Sequence, residues 1–218
     1  LPPPAGVDRV DATGLLVFPG LIDPQVHFRE PGLTHKEDVA SGSLCALAGG
    51  VTAFMEMPNT NPTTTEPARL VDKLDRARGR AWADHAFVLG ATAENADDLG
   101  EWEQAPGCAV VKVFMGSSTG TLLVADDPTL ERVLRSGSRR VAVHSEDEER
   151  LKARYAEVNP GSNVRIHPHV RDVDTAHKAT TRILELVEKT RPKIHLHHVS
   201  TAEEIDLLRD RDLGDLET

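Results

Sequence analysis

The stretch that decides the fold is VTAFMEM (51–57), PNTNPTTT (58–65) and PARLVDKLDRAR (67–78). The first block is an apolar run of the kind that forms a strand buried on both faces, the second a polar loop built from turn residues, and the third a helix. Strand, loop and helix make one βα unit. Working outward from it, the same alternation begins near Leu15 and recurs six times, with strand candidates Leu16–Phe28, Val51–Met57, His85–Ala91, Ala109–Met115, Arg140–His144 and Lys193–Val199. Helices are expected over Pro67–Arg78, Pro128–Leu134, Glu146–Val158, Val173–Thr190 and Thr201–Arg211, with a weaker one near Ala96–Gln104. Another is expected from a Thr34 cap, with Glu37 as its capping-box partner, to the Gly49-Gly50 stop. Repeated βα units imply a parallel sheet.

Two architectures accept such a pattern. A doubly wound sheet tolerates six strands, but no G-x-G-x-x-G or phosphate-loop motif follows any strand. The loops PNTNPTTT, longer than the usual two to six residues, and GSSTGT (116–121) follow strands, which is where barrel enzymes carry their chemistry. The expected fold is therefore an α/β, TIM-type (β/α)8 barrel truncated after about six βα units, occupying residues 15–218. Residues 1–14 are expected to be the remnant of a small β module.

Composition narrows the function classes. The 218 residues are 39% apolar and 28% charged, ordinary values for a globular protein. A formal net charge of −10 with no basic run argues against nucleic acid or an anionic membrane surface as the partner. No apolar run is long enough to span a bilayer. Two cysteines, Cys45 and Cys108, each lie in an apolar stretch, so buried free thiols and a reducing cytoplasm are expected.

Polar residues at strand ends carry the chemistry. In Asp23-Pro24-Gln25-Val26-His27-Phe28-Arg29-Glu30-Pro31-Gly32, the period of two puts Gln25 and His27 on one face. In Val110-Val111-Lys112-Val113-Phe114, Lys112 shares its face with Val110 and Phe114, a costly place for a cation. His144 ends the fifth strand on the face of Ala142. In Ile194-His195-Leu196-His197-His198, parity groups His198 with Ile194 and Leu196, read as the inward face, and sets His195 and His197 against the helices. Neutral imidazoles with carboxylates are a typical catalytic zinc set. His167 and His169 read as loop residues, and His35, His85 and His177 as surface or supporting residues.

PGLID before His27, FREPG after it, MPNTNP, FMGSSTG and the HHVST ending (197–201) together resemble the dihydroorotases of the multifunctional-complex type, within the metal-dependent amidohydrolases. The resemblance implies metal ligands His27, Lys112, His144 and His198, with Gln25 at the place of a further family His. It implies one or two zinc ions, with Lys112 carboxylated, that acidify a water and polarise a ring amide. It also implies that Arg29 and Asn59 bind the substrate carboxylate. The implied reaction is the reversible interconversion of dihydroorotate and N-carbamoyl-aspartate in pyrimidine biosynthesis, on a small-molecule substrate and in a homo-oligomer. Allantoinase or hydantoinase chemistry, and a non-catalytic role beside aspartate carbamoyltransferase, are the alternatives. The family's eighth-strand Asp has no counterpart here, so no catalytic proton shuttle is assigned. A neutral amide is a poorer zinc ligand than imidazole, so Gln25 predicts a single metal and reduced activity.

Overall fold

The computed structural model describes residues 6–118, 122–209 and 216–217. Its strands are β1 (Leu21–Val26), β2 (Val51–Glu56), β3 (Asp84–Gly90), β4 (Cys108–Phe114), β5 (Val141–His144), β6 (Ile194–Leu196) and β7 (Leu216–Glu217). They form one sheet in the order β1-β2-β3-β4-β5-β6-β7, and every neighbouring pair is parallel. A doubly wound sheet reverses its strand order at a switch point. Here the order never reverses, as in the wall of a barrel. The seventh strand was not expected; two residues are too short to leave a periodic signal.

Helices fill the crossovers: α1 (Val39–Ala48), α2 (Pro67–Ala77), α3 (Leu99–Trp102), α4 (Asp127–Ser136), α5 (Glu148–Ala156), α6 (His167–Val170), α7 (Val173–Thr190) and α8 (Ala202–Arg209). Among the described residues, none is long and apolar enough to cross a membrane. α7 matches its expected span, because Asp172 caps its start by accepting from the Thr175 N–H at 3.0 Å and Arg191 ends it at φ 53°. α1 begins later than Thr34. Its cap is Asp38, which accepts from the Ala40 and Ser41 N–H groups at 2.8 and 2.9 Å, while the Glu30 carboxylate takes the Val39 N–H at 3.0 Å. β1 is likewise shorter than read, and Leu15–Phe18 are exposed. His167 and His169 sit on α6, whose Pro168 suits a helix's first turn. Cys108 is buried, but Cys45 is exposed.

The core lies between one face of the sheet and the helices. Phe87 and Leu89 of β3, Val111 and Val113 of β4, Val141 and Val143 of β5, and Ile194 and Leu196 of β6 pack with Leu130 and Val133 of α4 and Ile183 and Leu184 of α7. A fully buried side chain of this kind contributes roughly 1.5–3 kcal/mol. Alternation then sends Lys112, His144, His195 and His197 to the opposite, inward face. This corrects the reading of the sixth strand, since Ile194 and Leu196 face the helices and not the interior.

One ion pair interrupts this core. Glu56, at the end of β2, and Lys73 of α2 are each about 1% exposed and hydrogen-bonded, and the Lys73 ammonium also donates to the Met57 carbonyl at 2.9 Å. Burial pushes the Glu56 carboxyl up to about 7 despite the Lys73 charge. Replacing one partner strands the other, so Lys73→Met is expected to cost about 3–5 kcal/mol in urea unfolding. Replacing both, as in Glu56→Leu with Lys73→Met, is expected to recover most of that loss; equal stability of the single and double variants would contradict it.

Candidate functional site

His144 ends β5, and His198 follows β6 after the backbone leaves the strand at a left-handed turn, φ 44°. That turn carries His198 back over the sheet, so its Nε2 lies 3.0 Å from His144 Nδ1, with the ring centroids 4.8 Å apart. His198 thus meets His144 because the strand has ended, not because of strand parity. Burial, then the neighbouring His144 and Lys112, depress the His198 pKa to about 4. Its imidazole is a neutral donor at pH 7.

Lys112 is fully buried on the inward face of β4. Its Nζ lies 2.6 Å from His197 Nδ1 and 5.2 Å from the Phe114 ring centroid. Burial drives its pKa well below that of a free lysine, and burial together with Lys112 drives His197 down as well. His197 was placed against the helices in sequence; it is instead the nearest partner of the buried lysine. Its backbone N–H donates to the Val143 carbonyl at 3.0 Å, which fixes its parity.

His27 follows β1, and burial, then Arg29, lowers its pKa to about 4, against the opposing hydrogen bond of Asn59. Its Nδ1 is buried with no hydrogen-bond partner among the described residues, and the same is true of Arg29 Nη1. Arg29 sits at φ 62°, a conformation that costs a non-glycine residue roughly 1–2 kcal/mol. Gly32 lets the following loop close, since at φ 85° a Cβ there would lie 1.9 Å from the Asn61 carbonyl oxygen. The FREPG and PNTNP loops therefore meet, with the Asn61 N–H donating to Pro31 at 3.1 Å. Gln25 is half-buried, its own N–H on Asp23 at 2.9 Å.

The predicted site residues thus assemble as neighbouring groups: His144 with His198, Lys112 with His197, and His27 with Arg29 and Asn59. Among the described residues no three His, Cys, Asp or Glu side chains converge tightly enough to hold a metal by themselves. The orphaned nitrogen of His27, the paired imidazoles of His144 and His198 and the buried Lys112, whose pKa burial depresses, nevertheless form a donor set suited to a cation. A cavity of about 610 Å³ reaches His144, Glu146, His167, Arg171, His198 and Ser118; Arg29, Asn59 and Lys112 do not line it.

Sequence reasoning missed Glu146, Arg171 and Glu204. Glu146 accepts from His144 Nε2 at 2.6 Å and pairs with Arg171. Glu204 is buried at the start of α8, accepting from Thr180 and Thr201 hydroxyls at 2.8 Å each, while Thr180 meets Ser145 at 2.9 Å. This chain of hydroxyls ties the end of β5 to the turn after His198. The His144-Ser145-Glu146 spacing was the available signal for Glu146; nothing local marks Arg171 or Glu204.

A parallel βα sheet in sequence order, with imidazoles and a buried lysine at the C-terminal ends of its strands, defines the amidohydrolase class of barrels. Residues 14–111 match the family described as dihydro-orotase-like. It is 33% identical over 204 residues to a dihydroorotase of Methanosarcina mazei, covering 92% of this chain and 44% of that protein. It is 34% identical over 207 residues to an allantoinase of Deinococcus radiodurans, covering 91% and 46%. Among solved structures, an L-hydantoinase (dihydropyrimidinase) from Arthrobacter aurescens superposes with a TM-score of 0.84 at 25% identity, covering 95% of this chain and 48% of that one. The chain spans about half the length of these relatives.

The cavity wall is braced by Asp172. Arg150 grips both its oxygens, at 2.8 and 2.6 Å, and Thr175 donates its N–H and hydroxyl at 3.0 and 2.8 Å. The Arg150 hydrogen bonds, then those of Thr175, hold its carboxyl well below the usual carboxylate range against the effect of burial. A depressed carboxyl stabilises the fold above its unfolded pKa and loses that contribution as pH falls towards the folded one. Asp172→Asn is therefore expected to cost about 1–3 kcal/mol at pH 7, the worth of hydrogen bonds to a charged group. The gap from the parent should shrink steadily in unfolding measurements below about pH 4; a constant gap would exclude the ionic contribution.

Proposed function

We propose that this chain supplies one half of a dihydroorotase site, in which His27, Lys112, His144 and His198 would hold zinc. The observation that carries this reading is the 3.0 Å approach of His144 Nδ1 and His198 Nε2 at the ends of adjacent strands. When bound, such a cation lowers the pKa of a water and polarises the amide carbonyl of a cyclic substrate. Lys112 is suited to carboxylation because burial depresses its pKa: the nitrogen lone pair of the neutral amine adds to carbon dioxide, a proton leaves, and the product is an anionic carbamate. Arg29 binds the substrate carboxylate through its guanidinium fork, whose buried Nη1 awaits an acceptor. Asn59, in contact with His27, lies close enough to add an amide donor. Gln25 makes the position beside His27 the weaker one, so one zinc per chain is the expected content.

The FREPG, MPNTNP and FMGSSTG stretches favour dihydroorotate over the rings of allantoin or a hydantoin. The similarity to an allantoinase supports that second reading, and Gln25 supports a non-catalytic partner of aspartate carbamoyltransferase. Assaying the protein that carries this chain against dihydroorotate, allantoin and hydantoin separates all three. We expect release of carbamoyl aspartate. Arg29→Met should lower kcat/KM by about 10- to 100-fold, mainly through KM, since hydrogen bonds between charged groups are worth about 1.5–3 kcal/mol. Faster opening of allantoin, or no hydrolysis after zinc loading, would overturn the assignment; two tightly held zinc ions per chain would overturn the role given to Gln25.

A further inference from the structure

The ligand reading leaves a carboxylate and a guanidinium beside His144 without a purpose. We infer that Glu146, held by Arg171, is a positioning residue that fixes His144 as its Nε2–H tautomer and so aims the Nδ1 lone pair at the point it shares with His198. This rests on the proposed ligation by His144 and His198.

The geometry supports it. An ionised carboxylate can only accept, and the Glu146 oxygen stands 2.6 Å from His144 Nε2, so that nitrogen must carry the proton. The other tautomer would press a lone pair against an anion. Glu146 is held in the acceptor role by the Arg171 guanidinium, which pairs with the same carboxylate.

Arg171 is in turn fixed on several sides. It pairs with Glu146, donates through Nη2 to the Ser117 carbonyl at 2.6 Å, donates through Nε to the Tyr155 hydroxyl at 3.2 Å, and lies 5.8 Å from the Tyr155 ring centroid. One guanidinium therefore joins the loop after β4, the end of β5 and α5.

Gly116 and Ser117 are held in this arrangement. Glu148 accepts the Ser117 N–H at 2.6 Å and its hydroxyl at 2.8 Å. Gly116 passes so close that a Cβ there would lie 2.6 Å from the Glu146 carbonyl oxygen. A carboxylate behind a histidine sets ring orientation and basicity, and its loss weakens metal binding by roughly 10- to 100-fold.

The test measures zinc affinity by competition with a chromophoric chelator, alongside 15N spectra of histidine-labelled, metal-free protein in which His144→Asn assigns the His144 signals. We expect the parent to show His144 protonated at Nε2. Glu146→Gln should bind zinc roughly 10- to 100-fold more weakly and show a tautomer mixture at His144, with Glu146→Asp recovering part of the affinity. Arg171→Met, which keeps the carboxylate, should give a smaller loss, and it carries the test if Glu146→Gln does not fold. Affinity within twofold of the parent in both variants, or a parent His144 protonated at Nδ1, overturns the inference. A parent that binds no zinc but keeps the Nε2–H tautomer overturns the metal reading and leaves the tautomer control by Glu146 standing.

Discussion

Every feature of this molecule depends on one constraint: a parallel sheet that buries an apolar face against helices must turn its alternate residues the other way. Val111 and Val113 pack under α4 and α7, so Lys112 between them is driven inward. Val141 and Val143 do the same for Ala142, and His144 follows in step. The hydrophobic contribution of the outer layer thus offsets the unfavourable burial of polar groups in the inner one. A buried lysine survives there because a nitrogen at 2.6 Å and an aromatic face share its surroundings, and because burial depresses its pKa.

Much of this was legible in sequence, and the losses are instructive. The strands and α7 could be read because period two and capping chemistry are local. The first and sixth strands were overextended because an apolar run continues past the last ladder hydrogen bond without any change in composition. Parity around Ile194 told which residues share a face but not which face is inward. When both faces of a strand are buried, polarity alone misleads, as His195 and His197 did. His198 was identified through its HVST setting, while its actual route to His144 is a backbone reversal that no side-chain pattern announces.

The supporting residues were least visible. Arg171 reaches Glu146 and Ser117 from a segment far along the chain, and Glu204 connects through Thr180 to Ser145 from yet another. Such contacts exist only once the crossovers are folded. They also explain why the loop after β4 is specific in composition: Gly116 provides clearance and Ser117 offers N–H, hydroxyl and carbonyl to two different charged partners.

The outer margin of β1 carries a different consequence. β1 pairs only with β2 in the described sheet, and Leu21 and Ile22 on it are exposed together with Leu15, Leu16, Val17 and Phe18 just before it. A greasy strand with open backbone valences is a ready template for strand addition. A lysine or proline at Leu15–Phe18 would blunt that template while leaving Gln25, His27 and Arg29 at the other end of the strand unchanged.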